Sequence, residues 1–125
     1  MAQPSVLLLV DAANVVGSVP DGWWRDRAGA TARLRDRLAP LAGSGLPDLD
    51  PPLEVVLVVE GAASGVPAIE GVQVVAASGS GDDTIVELLG REPTERTRVV
   101  VTADRQLRER VAQLGAQVLG PRSVR

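Results

Sequence analysis

Five short runs of largely apolar, β-branched residues punctuate the chain, at 6–10, 53–59, 72–77, 99–101 and 116–119. None alternates strictly between apolar and polar. A strand with one wet face would alternate, so runs of this kind predict strands buried on both faces, as in a parallel sheet covered by helices. Helical patterns separate the runs. Residues 23–41 carry Arg and Asp on one side and a stripe of Ala28, Ala32, Leu34, Leu38 and Leu41 on the other, which predicts one helix that Pro40 ends or kinks. A second helix is expected from Asp82 to about Arg91, and a third from about Asp104 to Leu114, where Gly115 is suited to stop it. The resulting order is β-α-β-β-α-β-α-β. That is an α/β fold, a three-layer sandwich with a mainly parallel central sheet of about five strands and right-handed crossovers.

The link between the second and third runs is too short for a long helix, and residues 43–52 (GSGLPDLDPP) read as a surface loop in which Asp48 and Asp50 are solvated. With 125 residues and no internal repeat, the chain reads as a single domain spanning 1–125. The apolar segment at residues 5–10 is too short to cross a membrane and lacks the basic flank of a secretion signal, so a cytoplasmic protein is expected.

Composition removes much of enzymology. There is no Cys, no His and no Lys; all 13 basic residues are Arg. Disulfides, the usual zinc sites, Ser-His-Asp and Cys-His nucleophiles, Schiff bases and a phosphate-binding P-loop lysine are all excluded. Net charge is −3, which is not the basic footprint of a tight nucleic-acid binder, so an anionic partner must meet local arginines or a bound cation.

In an open parallel sheet, ligands bind beyond the carboxyl ends of the strands. The first four of these edges each carry an acid: Asp11 with Asn14 after the first strand, Glu60 after the second, Asp82 and Asp83 after the third, Asp104 after the fourth. Converging carboxylates repel one another unless a cation neutralises them, and an all-oxygen donor set points to Mg²⁺ or Mn²⁺. Each acid also has a structural reading. Asp82 or Asp83 can cap the second helix, with Ser80 and Asp83 at capping-box spacing; Asp104 can cap the third or pair with Arg108. Asp11 is the hardest to explain structurally, because a carboxylate directly after a buried strand is costly unless liganded or solvated. Glu60 is expected to be peripheral.

The sequence Asp11-x-x-Asn14 after the first strand, Asp82-Asp83 opening a helix, and Thr102-Ala-Asp104-Arg-x-Leu-Arg108 after a late strand resembles the PIN-like NYN-domain nucleases, especially their YacP-like branch. The resemblance covers almost the whole chain. It implies a PIN-like fold and metal-dependent ribonuclease activity, with Asp11, Asp83 or Asp82, and Asp104 gathered around Mg²⁺ or Mn²⁺ and Asn14 supporting them by hydrogen bonding. There are departures: Ala12 and Ala13 stand where many relatives have a glycine and an aromatic, Glu60 stands where an Asp often follows the second strand, and the chain is shorter than typical YacP-like proteins.

Substrate contacts are expected from Trp23 and Trp24, the only aromatics, with Arg25 or Arg27 meeting phosphate, unless a tryptophan packs under the first helix. Arg105 and Arg108 are candidates to steer an RNA backbone, and Thr102 to contact substrate or support the site. A Rossmann dinucleotide site fails because Asp11 occupies the turn that would meet pyrophosphate. The expectation is therefore a Mg²⁺- or Mn²⁺-dependent ribonuclease in which Asp11, Asp83 and Asp104 are the primary ligands, Asp82 is a ligand or positions water, and Asn14 is a support. Single-stranded or structured RNA is the expected substrate, with no membrane partner and with a homodimer as one way to complete a basic groove. The competing functions are a metal-dependent nucleotide phosphohydrolase and a non-catalytic RNA-binding module.

Overall fold

The computed structural model describes residues 4–125. Its five strands are β1 (Val6–Asp11), β2 (Leu53–Val59), β3 (Gln73–Ala76), β4 (Thr97–Val101) and β5 (Gln117–Leu119). All pair in parallel, in the order β3-β2-β1-β4-β5. The helices are α1 (Ala12–Gly17), α2 (Arg27–Leu38), α3 (Leu41–Ser44), α4 (Gly81–Gly90) and α5 (Arg105–Gln113). Alternate residues of β1 feed opposite layers. Val6, Leu8 and Val10 join a core with Val15, Leu34 and Leu38 of α1 and α2, whereas Leu7 and Leu9 meet Ile85, Leu89, Leu107 and Val111 of α4 and α5. The three-layer α/β architecture follows, because a strand buried on both sides must be apolar at every position.

The single helix expected over 23–41 is broken into pieces. Trp23–Arg25 form one 3₁₀ turn, and Asp26 then starts α2 by accepting a hydrogen bond from the Gly29 amide at 2.9 Å. The ladder ends with the Ala39 amide on the Arg35 carbonyl, because Pro40 has no N–H to continue it. The periodicity held across the breaks, which is why it read as one helix. A second difference is α1, which the sequence pattern did not announce: Asp11 caps it through the Asn14 amide at 3.4 Å. Asp48 and Asp50 are exposed as expected, and the β2–β3 link carries only a 3₁₀ turn at Gly61–Ala63.

Arg98 is buried at the start of β4, with one guanidinium nitrogen on the Leu89 carbonyl (3.5 Å) and another on the Leu114 carbonyl (2.5 Å). One cation thereby satisfies carbonyls at the ends of α4 and α5, where the helix dipoles favour positive charge. Among the described residues, no helix is long and apolar enough to cross a membrane.

Candidate carboxylate site at the strand ends

The strand order reverses direction between β1 and β4, since β2 and β3 lie on one side of β1 while β4 and β5 lie on the other. A crevice opens at the carboxyl ends there. Asp11, the last residue of β1, is 6% exposed. Its Oδ2 accepts from the buried Thr102 hydroxyl at 2.9 Å, and Thr102 Oγ1 in turn accepts from the Asp104 amide at 3.1 Å. Asn14 Oδ1 accepts from the Ala103 amide at 2.7 Å, tying α1 to the loop after β4. The switch point is thus bridged by polar groups that fix Asp11 and Asp104 relative to each other.

Four carboxylates line one cavity of about 380 Å³: Asp11, Glu60, Asp82 and Asp104, with Asn14 and Ser80 completing its polar wall. Among the described residues, no basic side chain lines it. Three of the four are also held by helix starts. Asp11 caps α1, Asp104 Oδ1 accepts from the Leu107 amide of α5 at 2.8 Å, and Glu60 Oε2 accepts from the Gly81 amide of α4. A carboxylate has two oxygens, so a capping role orients the group without exhausting it. Gly81 permits the Glu60 contact: a Cβ there would stand 3.1 Å from Glu60 Oε2.

The electrostatics follow from this crowding. Burial, helped by the charges of Asp82 and Glu60, pushes the Asp11 carboxyl up to about 6 against the pull of its Thr102 and Asn14 hydrogen bonds. Asp82 is also shifted upward, first by burial and then by Asp104 and Glu60, with Arg110 opposing. Asp11 and Asp82 both resist ionisation, which a cation bound between them would relieve.

Asp83 does not join them. It points away from the cavity, its side chain 71% exposed and paired with Arg110 at 3.0 Å, while its amide donates to Ser80 Oγ, the cap of α4. Helix geometry turns adjacent residues by roughly 100°, so only one of the pair can face the crevice, and it is Asp82. Glu60, expected to be peripheral, is in the cluster. Thr102 is fully buried, bonds to Asp11 and does not line the cavity, so its hydroxyl positions a carboxylate. Asp104 caps α5 as its structural reading required, yet it lines the cavity and forms no ion pair with Arg108. Arg105 and Arg108 are exposed on α5 and Arg25 is exposed near Trp24, all outside the cavity wall. Trp23 is half-buried, whereas Trp24 is 53% exposed.

Among the described residues, no three acids stand close enough to grip one ion as they are arranged. The donor set nevertheless fits Mg²⁺ or Mn²⁺ in kind. Such ions take oxygen ligands, keep several waters, and bind through one or two carboxylates together with substrate phosphate. Asp82 supports the fit, because its carboxylate accepts no hydrogen bond among the described residues while lining the cavity.

Two solved structures share the architecture. The crystal structure of Rae1 (YacP) from Bacillus subtilis superposes with a TM-score of 0.75 at 19% identity, covering 94% of this chain and 70% of that one. This chain has the YacP fold. A tryptophan-to-leucine variant of the same protein gives a TM-score of 0.70 at 20% identity, covering 94% and 71%. No protein-family model matches the sequence, and no curated protein matches it. The YacP-like architecture suggested by Asp11-x-x-Asn14 and Thr102-Ala-Asp104 is therefore present in the backbone, at an identity where sequence alone carries little beyond those motifs.

Proposed function

We propose that the protein is a metal-dependent ribonuclease acting at the carboxylate cavity. The observation that carries this reading is the convergence of four acids, from four separate points in the chain, on a cavity with no basic wall at the switch point of a YacP-like fold. A pure RNA binder gains nothing from uncompensated carboxylates facing phosphate.

One or two carboxylates at a time, drawn from Asp11, Asp82 and Asp104, would hold Mg²⁺ or Mn²⁺ together with water and substrate phosphate, with Glu60 close enough to share the charge. When bound, such an ion lowers the pKa of a water and neutralises charge on the phosphodiester. Thr102 holds Asp11 in place through its hydroxyl and accepts from the Asp104 amide, fixing the two residues relative to each other. Asn14 fixes the loop that carries Asp104. Because Asp11 ionises only near pH 6, protons compete for the site below that value. No side chain of this cluster is needed as a dedicated general base.

The test is Mn²⁺ and Mg²⁺ titration by calorimetry on wild type and Asp11→Asn, with cleavage of a mixed-sequence single-stranded RNA and hydrolysis of nucleoside triphosphates followed in the same buffers. Metal binding to wild type alone, together with RNA cleavage, supports the reading. Triphosphate hydrolysis without RNA cleavage would replace it with a nucleotide phosphohydrolase, and RNA binding indifferent to metal would replace it with a binding module.

A further inference from the structure

Beside the carboxylate cavity lies a second one, of about 290 Å³, that the proposed cleavage does not use. Ala12 and Val16 of α1 and Ala63 after β2 give it hydrocarbon walls, and Trp23 closes one side. Ala13 and Glu60 line both cavities, so the two share a wall. Its volume is close to the lower end of small-ligand pockets, which begin at about 300 Å³.

The Trp23 ring is held in place. Trp24 meets it edge-on with centroids 5.9 Å apart, and the Arg27 guanidinium lies 5.4 Å from its centroid. An indole with a guanidinium stacked on it offers the two kinds of side-chain surface on which unstacked nucleobases settle.

The interior polar side chains are acceptors. Thr31, 3% exposed, spends its hydroxyl proton on the Arg27 carbonyl at 2.8 Å and keeps lone pairs for the cavity. Glu60 spends Oε2 on the Gly81 amide, leaving Oε1 without a partner among the described residues. Arg27, exposed at the rim, is the only side chain with N–H donors other than Trp23. Such a slot rejects a phosphate and takes a flat apolar group that carries its own donors.

We propose that this slot seats a nucleobase of the RNA next to the scissile phosphate, and that it prefers bases with an exocyclic amine over uracil. The proposal rests on the ribonuclease reading for its place in the reaction, but its binding half can be measured without cleavage. The Trp24→Phe variant leaves Trp23 as the only fluorophore. In EDTA, adenosine and cytidine should quench it saturably, uridine about tenfold more weakly, and ribose 5-phosphate not at all. Equal quenching by adenosine and uridine overturns the preference, and no quenching by any nucleoside overturns the slot.

Cleavage separates this proposal from the one it rests on. Trp23→Leu should raise KM about tenfold with kcat nearly unchanged and flatten the base preference, while Trp23→Phe, which keeps a stacking ring, stays within about threefold of wild type. If wild type cuts RNA, Asp11→Asn does not, and Trp23→Leu leaves KM unmoved, the slot is wrong and the nuclease reading stands. If adenosine quenches but wild type cuts no RNA in either metal, the slot stands as a base-binding site and the nuclease reading falls.

Discussion

The two ends of the same sheet treat charge in opposite ways. At the amino end, Arg96 pairs with Glu54 at 2.7 Å and Glu92 at 3.1 Å and donates to the Pro4 carbonyl, while Arg98 joins the ends of two helices. At the carboxyl end, four acids share a cavity with no cation in its wall. Both ends are polar and partly buried, and both are built from residues at or next to the ends of strands. The amino end is neutralised internally and serves stability. The carboxyl end is left in electrostatic debt, which a fold tolerates only where something from solution completes it.

That contrast can be broken from either side. The largest expected effect is on activity: Asp11→Asn should lower Mn²⁺-dependent RNA cleavage by more than about 100-fold, beyond what loss of a supporting partner usually costs. Single-turnover cleavage measures it. Thr102→Val removes the hydroxyl that positions Asp11 and should cost about 10- to 100-fold in metal affinity or activity, read by calorimetry and cleavage together.

Stability should move the opposite way at the two ends. Asp11 is raised to about 6 in the folded chain from 3.8, so the folded state holds its proton more tightly. This group therefore costs nothing below pH 3.8, and its penalty grows as pH rises through 6. In EDTA, the stability of Asp11→Asn relative to wild type should rise by about 2 kcal/mol between pH 4 and pH 7.5, because only the wild-type side chain ionises over that range, measured by urea denaturation at the two pH values. Arg96→Met, which strands two acids, should destabilise by about 2 kcal/mol, less than a fully buried pair would cost because Glu54 and Glu92 keep some exposure.

The smallest expected effect sharpens the boundary of the site. Asp83→Asn removes an exposed pair and should change stability by about 0.5 kcal/mol or less and cleavage by about twofold or less. A loss comparable with that of Asp11→Asn would move the metal ligand from Asp82 to Asp83 and undo the geometric assignment.

Much of this was legible from sequence because it rests on local rules. Continuous apolar runs located β1, β2 and β4, since burial on both faces leaves no room for alternation; the edge strands β3 and β5 are found at their runs too but are partly exposed, contrary to the expectation of burial on both faces. The acids after the strands were legible for the same reason: the end of a buried strand is a fixed place in a parallel sheet. The breaks in the helix expected over 23–41 were harder to read, because the apolar stripe continues across the Asp26 cap and Pro40. Arg98 was missed because a buried cation satisfied by carbonyls of two distant helices leaves no mark on its neighbours in sequence.

What the sequence by itself determined is the chemistry available and the architecture able to display it. With no Cys, His or Lys, only carboxylates, hydroxyls, amides and arginines remain, and the strand pattern puts the acids at one edge. Only the tertiary structure decided which acids meet. Whether Asp82 or Asp83 faces the crevice depends on the rotation of α4 about its axis, which is set by packing Ile85 and Leu89 against β1 and β2. Glu60 enters the cluster because the start of α4 comes down on its carboxylate, and Thr102 stays off the cavity wall because it is buried against Asp11. Sequence fixes neighbours along the chain; long-range packing fixes directions, and a site is made of directions.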